Sequence, residues 1–389
     1  MSIPITQSLQ KRTKPATWFI CFCLALLSVY PVYRNFYYSN GIKTYERHQA
    51  ILEKRSEFYN PWQYRVLAPA MVEGMLWIYN NTVDKIFPIE EKLNFSIANT
   101  SGTNAETDEF VRLMQTPGAM KYMIIFIFFR FAEHFLIFYL AWRLWSYFTG
   151  NNYLIFFGIC FLALSMGNAV TAADLSFNTY LDNIFYLLTA LLILGKWKTF
   201  WLIPIIILAA FNRETSIMLP ALYFISHADL SRFSFGRYNF GDIKLPGKSV
   251  WIITIVMYAI FFTIFFSLRN YFGYQPQQVW KAPAGWPMLK LNLVSAVGFK
   301  GYMELIGTLA VIPLIIIYKF YSFPYLLRKW FLFLVPVWFA VHYVSVVVYQ
   351  GRLFLVPMII VMIPMMLWLI DNAVQGKRSY SPLLHTDKP

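Results

Sequence analysis

Hydrophobic residues in this chain gather into long runs separated by polar stretches. The first run covers 18–33, and others cover 119–148, 153–173, a stretch reaching Leu194, 251–268, 302–318, 330–349 and 353–370. Two shorter runs, 200–211 and 217–225, flank Asn212-Arg213-Glu214. None shows the period-two alternation of a barrel strand, so the predicted spanning element is the α-helix, which satisfies its own backbone in hydrocarbon. The pattern predicts an all-α polytopic membrane protein of about ten transmembrane helices, some short, in a single integral membrane domain over 1–389.

The two short runs decide the expected topology. Neither crosses a ~30 Å hydrocarbon core comfortably alone. Joined as one span, they would place the 227–248 segment outside, although it carries Arg232, Arg237, Lys244 and Lys248. As two short helices meeting at the outer surface, they leave that segment and both termini in the cytoplasm. Lys11, Arg12 and Lys14 before the first run agree with a cytoplasmic N-terminus. Residues 35–118 then form a large extracytoplasmic loop. Within it, 44–58 has the pattern of an amphipathic surface helix broken by Pro61, and 66–79 that of a second amphipathic or re-entrant helix. Residues 94–118 are rich in Asn, Ser, Thr and Gly and read as a mobile stretch. Residues 174–182 read as a connection and 269–300 as a second outer loop.

Composition strengthens the membrane assignment. The chain is 58% hydrophobic and only 13% charged, a balance foreign to water-soluble domains. Its net charge of +14 does not point to nucleic acid, because the basic residues cluster in short loops between apolar runs. Cys21, Cys23 and Cys160 lie inside apolar runs, without metal-ligand spacing or a disulfide role. The first run lacks a small-residue cleavage site and reads as a retained anchor.

With this topology the polar groups beside apolar runs fall on the outer side: Arg65, Asp174, Asn178, Asp182, Asn212, Arg213, Glu214, Arg269 and Arg352. Both signs of charge at the outer ends of several helices suit an anionic substrate and an acid–base step. Arginine grips phosphate oxygens bidentately, and a carboxylate accepts a hydroxyl proton. Each position also has a structural reading. Arg65, bracketed by Pro61 and Pro69, fits an interfacial snorkelling role, and Asp174, Asn178 and Asp182, spaced by four, fit helix capping. Arg130, Glu133 and His134 share one helix face and read as a trio that holds helices together. Asn80, Asn94 and Asn99 begin glycosylation sequons.

The architecture resembles the GT-C-fold glycosyltransferases, polytopic enzymes that move a sugar from a polyprenyl-phosphate carrier to an acceptor on the outer or lumenal face. Four features carry the resemblance. They are the large first outer loop with surface helices, the short helix pair in mid-chain, Asn212-Arg213-Glu214 ahead of Leu219-Pro220, and Gln350-Gly351-Arg352 ahead of an apolar helix with Pro357. The resemblance implies a lipid-linked sugar as donor and membrane lipids as partners, with no nucleic acid and no cofactor or resident metal assigned. It implies that Arg65, Arg213, Arg269 and Arg352, with Glu214, Asn178 and Asp182, bind substrate and its phosphate. Members of that fold carry a catalytic carboxylate early in the first outer loop. Residues 34–45 contain none, so Glu46 or Asp174 is the expected catalytic base. A bacterial inner membrane is the expected setting ahead of the endoplasmic reticulum. The alternatives are a polysaccharide polymerase or ligase acting on carrier-linked glycans, and a lipid-linked glycan flippase or transporter.

Overall fold

The computed structural model describes residues 14–37, 41–92, 111, 115–169, 177–230, 243–276, 282–348 and 351–376. Helix α1 (Lys14–Tyr37) is followed by two helices of the first loop, α2 (Gly41–Leu52) and α3 (Leu67–Asn81). Three longer helices come next: α4 (Ala119–Trp145), α5 (Asn152–Ala169) and α6 (Phe177–Gly195). The short pair α7 (Leu202–Asn212) and α8 (Met218–His227) precedes α9 (Lys248–Phe272). Helices α10 (Trp286–Val294), α11 (Ala296–Leu309), α12 (Ile312–Tyr318) and α13 (Tyr325–Ser345) lead to a final segment. That segment begins at Gly351, passes through a wider π-type turn at Met358–Met362, and ends in α14 (Ile363–Val374). Among the described residues there is no strand, only an isolated bridge between Asp229 and Lys244. The protein is an all-α, multi-pass membrane protein.

Burial sorts the helices into centre and rim. The apolar window of α6 is 89% buried, against 22% for those of α1 and α9. A helix that is apolar all round belongs inside a bundle, and α6 packs against α4, α7 and α8. Rim helices turn large apolar side chains outward, among them Trp18, Phe19 and Phe22 on α1 and Ile252, Ile255 and Phe266 on α9. In a membrane these side chains face lipid.

The span count needs correction. Among the described residues, six helices are long and apolar enough to cross a membrane, or seven if the bent pair α11–α12 is one span, rather than about ten. The difference lies in the shorter helices. The 11-residue α7 rises about 16 Å at 1.5 Å per residue, roughly half of the hydrocarbon core. Helices α7 and α8 are separate, as the sequence predicts. Both pack along α9, and Arg269 in the last turn of α9 stands beside Glu214 at their junction, so the chain runs out and returns.

Four boundaries also differ. Residues 177–182, read as part of a connection, are the first turns of α6. The 269–300 segment holds the last turn of α9, α10 and the start of α11. The first surface helix stops at Leu52, before Pro61, where the chain turns through Lys54 at φ 58°. The run 302–318 is broken by a 71° bend where Ala310 takes φ 49°. The mobile stretch expected at 94–118 lies largely outside the described residues.

Side-chain hydrogen bonds fasten the two bundle ends. At one end Lys329 caps the last turn of α8, donating to the Ser226 and Ala228 carbonyls at 2.7 Å each. Thr149 donates to Asp371 Oδ2 at 2.6 Å there. Helices α2, α3 and α4 meet at Glu73, whose Oε1 accepts from His48 Nε2 at 2.7 Å and Tyr122 at 2.9 Å. Burial lowers the His48 pKa more than Glu73 raises it, so the neutral ring donates. The buried Asn292 of α10 donates to the carbonyls of Tyr343 (2.8 Å) and Val346 (2.7 Å) and accepts from Val348 N at 3.2 Å.

Asn292 therefore sets the path of the strap from α13 toward Arg352. Replacing Asn292 with Leu should cost roughly 3 kcal/mol, about one for each bond. A thermal melt in detergent reads it, and an unchanged melting temperature would remove Asn292 from this role.

Candidate functional site

The site is built where α7 stops. Arg213 is extended there, at φ −162° and ψ 149°, and Glu214 opens a 3-10 turn, Glu214–Ile217, into α8. An extended residue sends neighbouring side chains to opposite sides. Arg213 therefore turns toward α6, and Glu214 toward the first loop and α9.

On the α6 side, Arg213 Nη1 donates to Thr179 Oγ1 at 3.2 Å and lies 3.9 Å from Asp182 Oδ2. Thr215 donates to the same Asp182 oxygen at 2.6 Å, and Tyr186 donates to the Thr215 carbonyl at 2.8 Å. Asp182 is fully buried, and Arg213 is 7% exposed. A charge this deep is costly unless paired, so the Arg213–Asp182 pair is the condition for burying either.

On the other side, Arg65 donates to Glu214 Oε2 through Nη2 at 2.9 Å and Nε at 3.2 Å. Arg269 Nη2 stands 3.7 Å from Oε1, so one carboxylate holds two arginines, one on each oxygen. Burial by itself pushes the Glu214 carboxyl up. Arg65 and then Arg269 overcome this and hold it below its ordinary value. Arg269 lies between aromatic rings, 4.6 Å from the Tyr64 centroid and 3.3 Å from that of Phe265. It also sits in the last turn of α9, the end that favours a cation.

The 59–65 segment docks on that same end. Tyr59, Tyr64 and Asn60 donate to the carbonyls of Phe272 (2.6 Å), Gly273 (2.8 Å) and Gln275 (2.7 Å). The Phe272 carbonyl is one that a helix end leaves without an intrahelical partner. Arg65 is thereby positioned by tertiary contacts and is no mere snorkelling side chain.

Arg352 comes from the 3-10 turn Gly351–Phe354, held by Trp338 Nε1 donating to the Leu353 carbonyl at 2.6 Å. It lies close enough to Arg213 to repel it, as does Arg65. The turn packs tightly on α11: a Cβ on Gly351 would meet Thr308 Oγ1 at 2.9 Å and Glu304 Oε1 at 3.1 Å.

The structure thus brings together Arg65, Asp182, Arg213, Glu214, Arg269 and Arg352. Asn178 adjoins the group mainly through its backbone, whose carbonyl accepts from Asn212 at 2.8 Å. Asp182 holds Arg213 and Thr215 through Oδ2. Glu46 is exposed on α2, whose buried positions are Thr44, His48 and Ile51. Asp174 lies outside the described residues. The α4 trio is buried: Arg130 sits over the Phe177 ring at 4.4 Å, and His134 packs on Tyr180 at 4.5 Å. Thr179, Thr215, Tyr64, Glu304 and His342 were missed. For Glu304 and His342 the available signal was a polar residue inside an apolar run. Among the described residues, no three His, Cys, Asp or Glu side chains are grouped to hold a metal.

The class defined by fold and site is a multi-pass helical membrane protein with an arginine-rich, carboxylate-braced cluster at one end of its bundle. No family model, curated protein or solved structure matches the chain.

Two tests follow from these pairings. In double-mutant cycles on thermal stability, Arg65 with Glu214 and Arg213 with Asp182 should each couple by about 1–3 kcal/mol, and the sequence neighbours Arg213 and Glu214 by less. Stronger coupling between the neighbours would contradict the crossed pairing. The second test uses pH. A carboxyl with a depressed folded pKa contributes stability above its unfolded value, about 4.3, and loses it as pH falls through the folded pKa. Wild type should therefore lose more stability than Glu214→Gln between pH 5 and pH 3 (about two units spanning that value). Parallel losses in the two proteins would show that Glu214 does not contribute.

Proposed function

We propose that the chain is a membrane glycosyltransferase of the GT-C kind, which takes a sugar from a polyprenyl-phosphate carrier and delivers it to an acceptor on the extracytoplasmic face. In this reading the cluster faces outward and both termini are cytoplasmic, in a bacterial inner membrane. The observation that carries it is the state of Arg213. Its guanidinium is buried among Arg65, Arg352 and two already engaged carboxylates, and its Nε has no hydrogen-bond partner among the described residues. Arg65, Arg213 and Arg269 against Asp182 and Glu214 leave an excess of positive charge, which a phosphate group answers.

The chemistry follows from that excess. As the sugar–oxygen bond to the carrier breaks, its electron pair stays on the phosphate oxygen. Fixed guanidinium groups stabilise that growing charge without reorganising. The acceptor hydroxyl loses its proton to a base, for which Glu46 and Asp174 are the proposed carboxylates. Gathering of the cluster at one bundle end favours an enzyme over a flippase or transporter, whose polar path reaches both sides.

The test is sugar transfer in membranes, with carrier binding measured on purified protein. Arg352→Ala should lower transfer by about 10²–10³-fold, and Arg352→Lys should retain an intermediate level, because Lys keeps the charge but not the planar fork. Arg213→Met with Glu214→Gln should insert yet remain inactive. Of Glu46→Gln and Asp174→Asn, the one that removes the base should abolish transfer and the other should keep it within about threefold. Full transfer by Arg352→Ala would sink the phosphate-site reading.

A further inference from the structure

His342 lies on α13, one turn before the strap that leads to Arg352, and is 4% exposed. Its Nδ1 is 2.8 Å from the Trp338 carbonyl. A carbonyl only accepts, so Nδ1 carries the proton. In the uncharged ring this leaves Nε2 as an acceptor, and Nε2 forms no hydrogen bond among the described residues.

Packing fixes the ring. It stacks on Trp338 at 5.1 Å and contacts Phe354, in the Arg352 turn, at 5.9 Å. Trp338 in turn meets Tyr186 edge-on at 5.4 Å, and Tyr186 holds the Thr215 carbonyl. Arg213 and Arg65 both act on the His342 ring electrostatically, so it stands in the same field as the cluster. The ring is held by Trp338 and Phe354, with one acceptor left over in the field of Arg213 and Arg65.

An acceptor lone pair repels the anionic oxygens that those arginines attract. A ligand that satisfies both must carry an anion and, next to it, a hydroxyl donor. We propose that His342 is a substrate-binding residue whose Nε2 accepts a hydrogen bond from a hydroxyl of the sugar attached to the carrier phosphate. The inference rests on the carrier-phosphate reading of the site and adds to it the means of telling a loaded carrier from a spent one. Arg65 and Arg213 bind the phosphate common to both, and His342 binds only the loaded form.

The experiment compares two ligands on the full-length protein in detergent. One is polyprenyl monophosphate; the other is the same lipid bearing glucose, galactose, mannose or arabinose, each assayed in turn. Wild type should bind at least one loaded lipid about tenfold more tightly than the bare lipid. His342→Phe keeps a ring for the Trp338 stack and should bring the two affinities within about threefold, with binding of the bare lipid unchanged. His342→Gln offers an amide oxygen and should restore part of the preference. Retained preference in His342→Phe overturns the inference, as does equal weakening of both ligands, which marks a purely structural ring. Absence of preference in wild type for every sugar overturns it too. Wild type that binds neither lipid overturns the carrier reading itself, a result distinct from the others.

Discussion

Burial of charge at the junction of α7 and α8 governs the organisation of this protein. Arg213 and Glu214 sit between two apolar helices, and breaking a buried pair by losing one partner costs about 3–5 kcal/mol. The chain meets that demand with four other elements. Helix α6 supplies Asp182 and Thr179, the first loop supplies Arg65, α9 supplies Arg269, and the turn before α14 brings Arg352 into the same field. A junction that requires partners from so much of the chain also fixes where those parts stand.

The shortness of α7 and α8 belongs to the same arrangement. A full span would carry its terminal charges to the headgroup level, where water solvates them. Helices of about half that length end against α6, α9 and the first loop, whose side chains compensate the charges. The aromatic residues serve the same end. Tyr64 and Phe265 shield Arg269, while Tyr59 and Tyr64 occupy the carbonyls at the end of α9. Cation–π contact lets Arg269 be half-buried with a single carboxylate at a distance of 3.7 Å.

Much of the fold was legible from hydropathy. The all-α class, the separate α7 and α8, and the positions of α3, α4 and α13 follow from apolar run lengths and from the cost of an unpaired backbone in lipid. Boundaries were less legible where polar residues lie inside helices. Asn178 and Asp182 look like connection residues, yet they form the first turns of α6 because the bundle supplies their partners. The bend at Ala310 has no Gly or Pro at that residue to announce it.

By itself, the sequence determined that this is a helical membrane protein and which charged residues stand beside its apolar runs. Those properties depend on composition and local spacing. Only the tertiary structure decided which charge answers which. Arg213 and Glu214 are adjacent in the chain and look like a pair, but one extended residue turns them apart. Their true partners lie 31 residues upstream at Asp182, and at Arg65 and Arg269 far to either side. Pairing of buried charges is a contact between distant parts of the chain, set by how helices pack, and no local pattern encodes it.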